Sequence, residues 1–131
     1  MPPSIMTEIG SGELIDKITI LEIKSDRIAD AEKLKNVRHE LSVLSTTRDA
    51  HLSNIDGLSV LTARLRAINE ALWQIEDDIR ACEAQNDFGQ KFIDLARAVY
   101  NTNDKRAAIK KEINLLTGAT IIEEKSYTDF F

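Results

Sequence analysis

At 131 residues the chain has the length of one ordinary domain, enough to bury roughly two thirds of its unfolded surface without a disulfide or a metal. Hydrophobic residues at 43% and charged residues at 30% are the balance expected of a soluble globular protein, and no apolar run approaches the roughly 20 residues that cross a bilayer. Seventeen basic against 22 acidic residues leave a net charge of −5, which repels phosphates, so neither nucleic acid nor membrane insertion is expected.

The start, Met1-Pro2-Pro3-Ser4-Ile5-Met6, has neither the basic head nor the apolar core of a secretory signal, and the expected location is the cytoplasm. Both prolines precede residue 4 and only five glycines follow, so little interrupts helix formation and no sheet is expected. Gly10-Ser11-Gly12-Glu13 reads as a helix start: Ser11 is placed to accept the free amides and Glu13 suits the positive end of the dipole. Helix 1 is predicted over Gly12 to Ala31. At 100° per residue, Leu14, Ile15, Ile18, Leu21 and Ile28 share one arc, whereas Ile20 and Ile23 fall nearly opposite, beside Asp16 and Arg27. The second face is sandwiched between neighbours, meets another chain, or holds two tolerated surface isoleucines.

Ile28 and Leu34 lie six apart where a continuous stripe wants seven. The spacing predicts a break near Asp30 to Lys33 and a second helix, Glu32 to Leu52, on Leu34, Val37, Leu41 and Leu44. One long bent helix from Gly12 to Leu52 is the alternative, since no Gly or Pro enforces the break. Ser53-Asn54-Ile55-Asp56-Gly57 is a turn by composition. The third helix is the strongest element: Leu58, Leu61, Leu65, Ile68, Leu72, Ile75, Ile79 and Cys82 recur at steps of three and four, one apolar line along its whole length. Its pairing with helix 2 in a long antiparallel hairpin is the expected spine. Val60, Ala63, Ala67 and Ala71 form a small-residue strip on its far side, predicted to be buried from a second direction, and Trp73 is expected to roof the core edge. Cys82, the only cysteine, reads as a small buried hydrophobe in a reducing compartment.

Asn86 suits a left-handed helix end, and Asp87-Phe88-Gly89-Gln90 has the form of a reciprocal cap. Helix 4 is predicted over Phe88 to Tyr100 on Phe88, Phe92, Leu95 and Val99. After the polar turn Asn101-Thr102-Asn103, helix 5 is predicted over Asp104 to Thr117 on Ile109, Ile113 and Leu116, closed by Gly118. The tail, residues 119–131, adds Ile121, Ile122, Tyr127, Phe130 and Phe131. It is expected to dock on its own helices or on a neighbouring subunit, the alternative being a frayed end.

No residue set calls for a metal or a cofactor. A di-iron bundle needs Glu three positions before His, but Asn36 precedes His39 and Arg48 precedes His51. Glu76-Asp77-Asp78 point in different directions on a helix and read as a wet face. No Gly-rich phosphate loop and no credible nucleophile is present, so no catalytic residue is assigned. One constellation could hold a ligand: if Asn103 caps helix 5, the free amides there, with Lys105 and Arg106, make a positive end able to bind a phosphate or carboxylate. The same residues also serve as an ordinary cap and surface coat, with Asp104 competing for the amides. Ile15-Asp16-Lys17-Ile18 with Arg27 resembles the first helix of all-helical chorismate mutases, although Thr19 stands where that pattern has an acid.

Gly12 to Lys24, Leu72 to Arg80, and Val99 to Arg106 through Ile122 to Tyr127 together resemble a small uncharacterised bacterial family, DUF6165-like. The resemblance spans nearly the whole chain. It implies a stand-alone bacterial protein with relatives in glycosyltransferase and surface-polysaccharide contexts, and supplies no catalytic residues to carry over. The expected protein is a single all-α domain, a bundle of about five helices with a docking tail. Its expected role is an interaction or assembly module, pairing as a homodimer or with a partner protein through Ile20, Ile23, Tyr127, Phe130 and Phe131. The rival is a small-ligand or carbohydrate-pathway enzyme using the anion site at Asn103, Lys105 and Arg106.

Overall fold

Four helices carry the chain in a computed structural model that describes residues 4–128: α1 (Ser11–Arg27), α2 (Ala31–His51), α3 (Leu58–Ala84) and α4 (Gln90–Thr117). The fold is all-α, with no strand among the described residues. Phe130 and Phe131 lie outside them.

The first boundaries follow from local chemistry. α1 stops at Arg27, and Ile28 is extended at φ −78° and ψ 131°. Three residues later the Asp30 carboxylate accepts the amides of Glu32 at 2.9 Å and Lys33 at 3.3 Å, the standard satisfaction of a helix N-terminus. The break predicted near Asp30 is therefore present, and the bent-helix alternative is not adopted. Ser11 does not cap α1: Gly10 occupies that position without a side-chain bond.

α3 spans the predicted apolar line. Leu58, Leu65 and Cys82 are buried, while Leu61, Ile68, Leu72, Ile75 and Ile79 are half-buried. Its partner is not the predicted one. α3 packs along α4, and α1 packs on α2, α3 and α4, whereas α2 touches α1 alone among the helices. The expected hairpin of helices 2 and 3 is not formed, because the α3 line is already covered by α4 and α1. What remains for α2 is a modest contact, with Val37 its only buried residue. The core gathers Ile15, Leu58, Leu65, Ile109 and Ile113, edged by Leu52 and Ile55 from the connection between α2 and α3.

The fourth and fifth predicted helices are one. Asn101, Thr102 and Asn103 continue the α-helix, and the Asn101 side chain donates to the Arg97 carbonyl at 3.0 Å instead of breaking the turn. The physical reason is periodic: Phe92, Leu95, Val99, Thr102, Arg106, Ile109 and Ile113 hold the three-and-four spacing without a slip, with two of the positions polar. At the start of α4 the reciprocal cap is absent. Gly89 is the N-cap, its N–H donates to Asp87 at 3.1 Å, and the Gln90 side chain turns to Asp94 at 2.7 Å. Asn86 does adopt the left-handed conformation, φ 54°. Phe88 is exposed, stacked edge-on against Phe92 with centroids 5.3 Å apart.

Gly118 closes α4 at φ 71°. The following residues run over α1 and α4 without secondary structure, held by Lys110 to Glu123 at 3.3 Å and Lys111 to Glu124 at 3.4 Å. Tyr127 is 77% exposed.

Candidate functional site

The second face of α1 is the surprising one. Gly12, Asp16, Thr19 and Ile23 follow one another at steps of four, three and four, and all are buried. They meet α3 and α4, so this helix is sandwiched, and Asp16 is 1% exposed. Burying a carboxylate is costly unless it is paired and hydrogen-bonded. Here it is both. Arg106 of α4 donates Nε to Asp16 Oδ1 at 2.9 Å and Nη2 to Oδ2 at 2.5 Å, a two-pronged pair. Asn69 of α3 donates Nδ2 to the same Oδ1 at 2.9 Å and also to Thr19 Oγ1 at 2.9 Å. The Thr19 hydroxyl in turn donates to the Asp16 carbonyl at 2.8 Å.

One turn along α4, Lys110 donates to Glu13 at 2.8 Å and lies 3.9 Å from Asp16. Another turn on, Asn114 Oδ1 accepts the Gly12 N–H at 2.8 Å. A residue from the far end of the chain therefore supplies the cap of α1 that Ser11 does not. Gly12 is required by proximity: a Cβ there would overlap the Lys110 carbonyl oxygen. No buried side-chain nitrogen or oxygen among the described residues lacks a partner.

The network is also electrostatically matched. The hydrogen bond to Asp16 raises the Arg106 guanidinium above its ordinary value despite its burial, helped by the charges of Asp16, Glu13 and Glu123. Burial pulls the Lys110 ammonium down, but the hydrogen bond to Glu13 and the fields of Asp16 and Glu13 more than offset it. Its net shift is upward. As a chemical device this is a positioning frame, since every acceptor of Asp16 is already engaged by a cation or an amide.

Beside the frame lies a groove of about 360 Å³ between α1, α3 and α4, with Asn69 and Arg106 on its floor and Ile20, Leu72, Trp73 and Asn103 around it. Glu76, Asp77 and Arg80 stand at its α3 side. Arg27 sits over the Trp73 ring, 6.0 Å from its centroid, and pairs with Glu70 at 3.3 Å.

The residues singled out in the sequence fall in different places. Asn103 and Arg106 share this groove with Ile20, but Lys105 lines another groove with Arg64 on the opposite face of α3 and α4. The predicted anion site is not built: residues 103–106 lie inside α4, their amides are spent on the helix, and Arg106 is already neutralised by Asp16. Ile23, expected at an interface, is 1% exposed inside the chain's own core. The Asp16 and Arg27 of the chorismate-mutase resemblance do not converge, each being paired with a different group. His39 and His51 are exposed, and no group of three metal-ligating side chains occurs among the described residues. Tyr127 and Asn103 line a separate hollow with Tyr100 and Lys125.

Sequence spacing does not single out Asn69, Lys110 or Asn114, and Asp16 enters only through the chorismate-mutase resemblance. The available signal was periodicity: Asp16 and Thr19 sit on the arc of Ile23, and Arg106 sits on the α4 stripe, so polar residues at core positions marked the network.

No helix among the described residues is long and apolar enough to cross a membrane. No curated protein and no solved structure matches the chain. The sequence model of a family of unknown function, DUF6165, covers residues 5–130, and the chain belongs to that family.

Proposed function

We propose that the protein is an assembly module that pairs with a second copy of itself through the face of α3 and α4 opposite α1. The observation that carries this reading is one-sidedness. α1 covers one flank of the α3–α4 pair, α2 lies beyond α1, and among the described residues no helix covers the other flank. On that open flank Val60 is 62% exposed and Leu115 is 64% exposed. Between them run Ala67 and Ala71 of α3 and Ala108 of α4, all exposed, whereas Ala63 turns toward a hollow shared with Ile15, Glu22 and Arg48. Small side chains there let another backbone come close, and large apolar ones at the ends reward the approach.

A shallow groove of about 350 Å³ between Ala67 and Ala108 runs along this flank. It is rimmed by Arg64 and Glu112, 3.6 Å apart. Opposite charges on one rim suit an isologous contact, in which the Arg64 of each copy can face the Glu112 of the other. Two helical hairpins joined in this way make a four-helix arrangement, the usual solution for a helix pair with an uncovered side.

Sedimentation equilibrium at micromolar concentration tests the reading. The expected result is a species of twice the 14.7 kDa chain mass. A single 14.7 kDa species across the concentration range would overturn it.

A further inference from the structure

The groove beside the Asp16 frame carries an unmet hydrogen-bonding group whose orientation follows from its neighbours. The Thr19 hydroxyl spends its hydrogen on the Asp16 carbonyl, so Thr19 Oγ1 accepts. The Asp16 carboxylate also only accepts. Asn69 must therefore turn its NH₂ toward both, as observed, and its carbonyl oxygen points away from the frame. Asn69 is 5% exposed, yet that oxygen has no partner among the described residues and is not among fully enclosed unsatisfied atoms. Asn69 lines the groove, and its oxygen opens there.

Arg106 stands beside it. Nε and Nη2 are held by Asp16, which leaves Nη1 for the groove, and the side chain is 30% exposed. The floor thus offers one acceptor and one donor, side by side, on two side chains locked by the same carboxylate. An indole and two aliphatic side chains wall it, and the Glu76 and Asp77 carboxylates lie alongside.

These features select a class of ligand. An anion gains little from a guanidinium neutralised by Asp16 or from Arg80, which pairs with Glu76 at 3.5 Å, and it is repelled by the Asp77 carboxylate. A cation meets the guanidinium on the floor. A purely apolar guest leaves the Asn69 oxygen dehydrated without a donor, which costs more than the contact returns. A neutral ring bearing adjacent hydroxyls answers every element: one hydroxyl donates to Asn69, its neighbour accepts from Arg106, others reach the carboxylates, and the C–H groups lie against Ile20, Leu72 and the side of the Trp73 indole not taken by Arg27.

We infer that the groove between α1, α3 and α4 binds a neutral polyhydroxylated ligand, a sugar ring seated on Trp73 with Asn69 and Arg106 as its floor. The site lies on the flank away from the proposed self-association face, so the two readings stand or fall separately.

Trp73 is the only tryptophan of the chain, and its fluorescence reports on this groove alone. The test titrates the full-length protein with neutral hexoses, 6-deoxyhexoses, N-acetylhexosamines and linear polyols, with the corresponding hexose phosphates for comparison. The expected result is a saturable change in emission for at least one neutral member, with Kd of about 1 mM or tighter. Asn103→Ala and Asp77→Ala change side chains at the groove without touching the Asp16 frame. Each is expected to weaken binding by roughly 3- to 10-fold, the loss of one hydrogen bond. Glu83→Ala, on the same helix but away from the groove, leaves affinity unchanged. Absence of a saturable response to every neutral compound overturns the inference. So does a response untouched by both groove substitutions, or tighter binding of a phosphate than of its neutral parent.

Discussion

Asp16 and Arg106 stand 90 positions apart in the chain and meet through two guanidinium–carboxylate hydrogen bonds at the crossing of α1 over α4. One partner is 1% exposed and the other 30%. The pair therefore acts as a register pin: it forms only when both helices are at the right height and rotation, whereas apolar contacts tolerate sliding.

Removing the cation strands the anion. Arg106→Ala is expected to cost about 3–5 kcal/mol, because the buried carboxylate keeps one hydrogen bond, from Asn69, and no cation nearer than Lys110 at 3.9 Å. Arg106→Lys recovers only part of this, since an ammonium cannot reproduce the two-pronged geometry. Urea unfolding followed by circular dichroism measures both. Equal stability of the alanine variant and the native protein would remove the pin.

Gly12→Ala tests the close approach of α1 to α4. Elsewhere in a helix the exchange is stabilising by up to ~1 kcal/mol. Here the new methyl meets the Lys110 carbonyl and forces the helix ends apart, stretching the bond from the Gly12 amide to Asn114. A loss of about 1–3 kcal/mol is expected, and an increase in stability would show that the helices part without cost.

Two leucines on the same line of α3 are expected to behave differently. Leu65 is fully buried in the core with Ile15, Ile109 and Ile113, and Leu65→Ala should cost about 2–5 kcal/mol. Leu72 is half-buried at the groove edge, so Leu72→Ala should cost clearly less. Denaturant midpoints for the two variants decide it.

Lys110 gives a pH signature. Its proton is held more tightly folded than unfolded, so its contribution to stability is complete below the ordinary lysine value of 10.5. That contribution disappears as pH rises through the raised folded value. Unfolding free energy should thus fall as pH rises from 10.5 through the raised folded value, and the fall should be shallower in Lys110→Met. A Lys110→Met profile parallel to that of the native protein would show that the lysine is uncoupled from folding.

On the uncovered flank, Val60→Asp and Leu115→Asp place charges on side chains already 62% and 64% exposed. Monomer stability should change by less than about 0.5 kcal/mol. Self-association should weaken at least tenfold, read by sedimentation velocity over a dilution series, because each copy contributes the same charge twice. Unaltered association would relocate the contact.

Much of the secondary structure was legible in the residues. The α3 line from Leu58 to Cys82, the slip between Ile28 and Leu34, and the terminators Asn86 and Gly118 are local signals, set by periodicity and by which residues tolerate a left-handed backbone. The polar run Asn101 to Asn103 has the composition of a turn, yet Thr102 and Arg106 occupy stripe positions of one continuous helix. Polarity at a core position signals an interruption or a buried partner, and sequence spacing alone does not distinguish them.

Pairing was beyond local signals. Helix 2 follows helix 1 and precedes helix 3, and either neighbour offers a stripe for Leu34, Val37 and Leu41 to meet. The choice of α1 depends on α3 being taken by α4, which is a competition among distant segments for the same apolar surface. In the same way, nothing near Asp16 in the chain announces Arg106, Asn69 or Lys110, and nothing near Gly12 announces Asn114. The sequence by itself determined most helix ends and which sides are greasy, because those depend on residues a few positions apart. Only the tertiary structure decided which sides meet and which charge is buried beside which, because each buried ion is tolerable only where a counter-charge arrives from another helix.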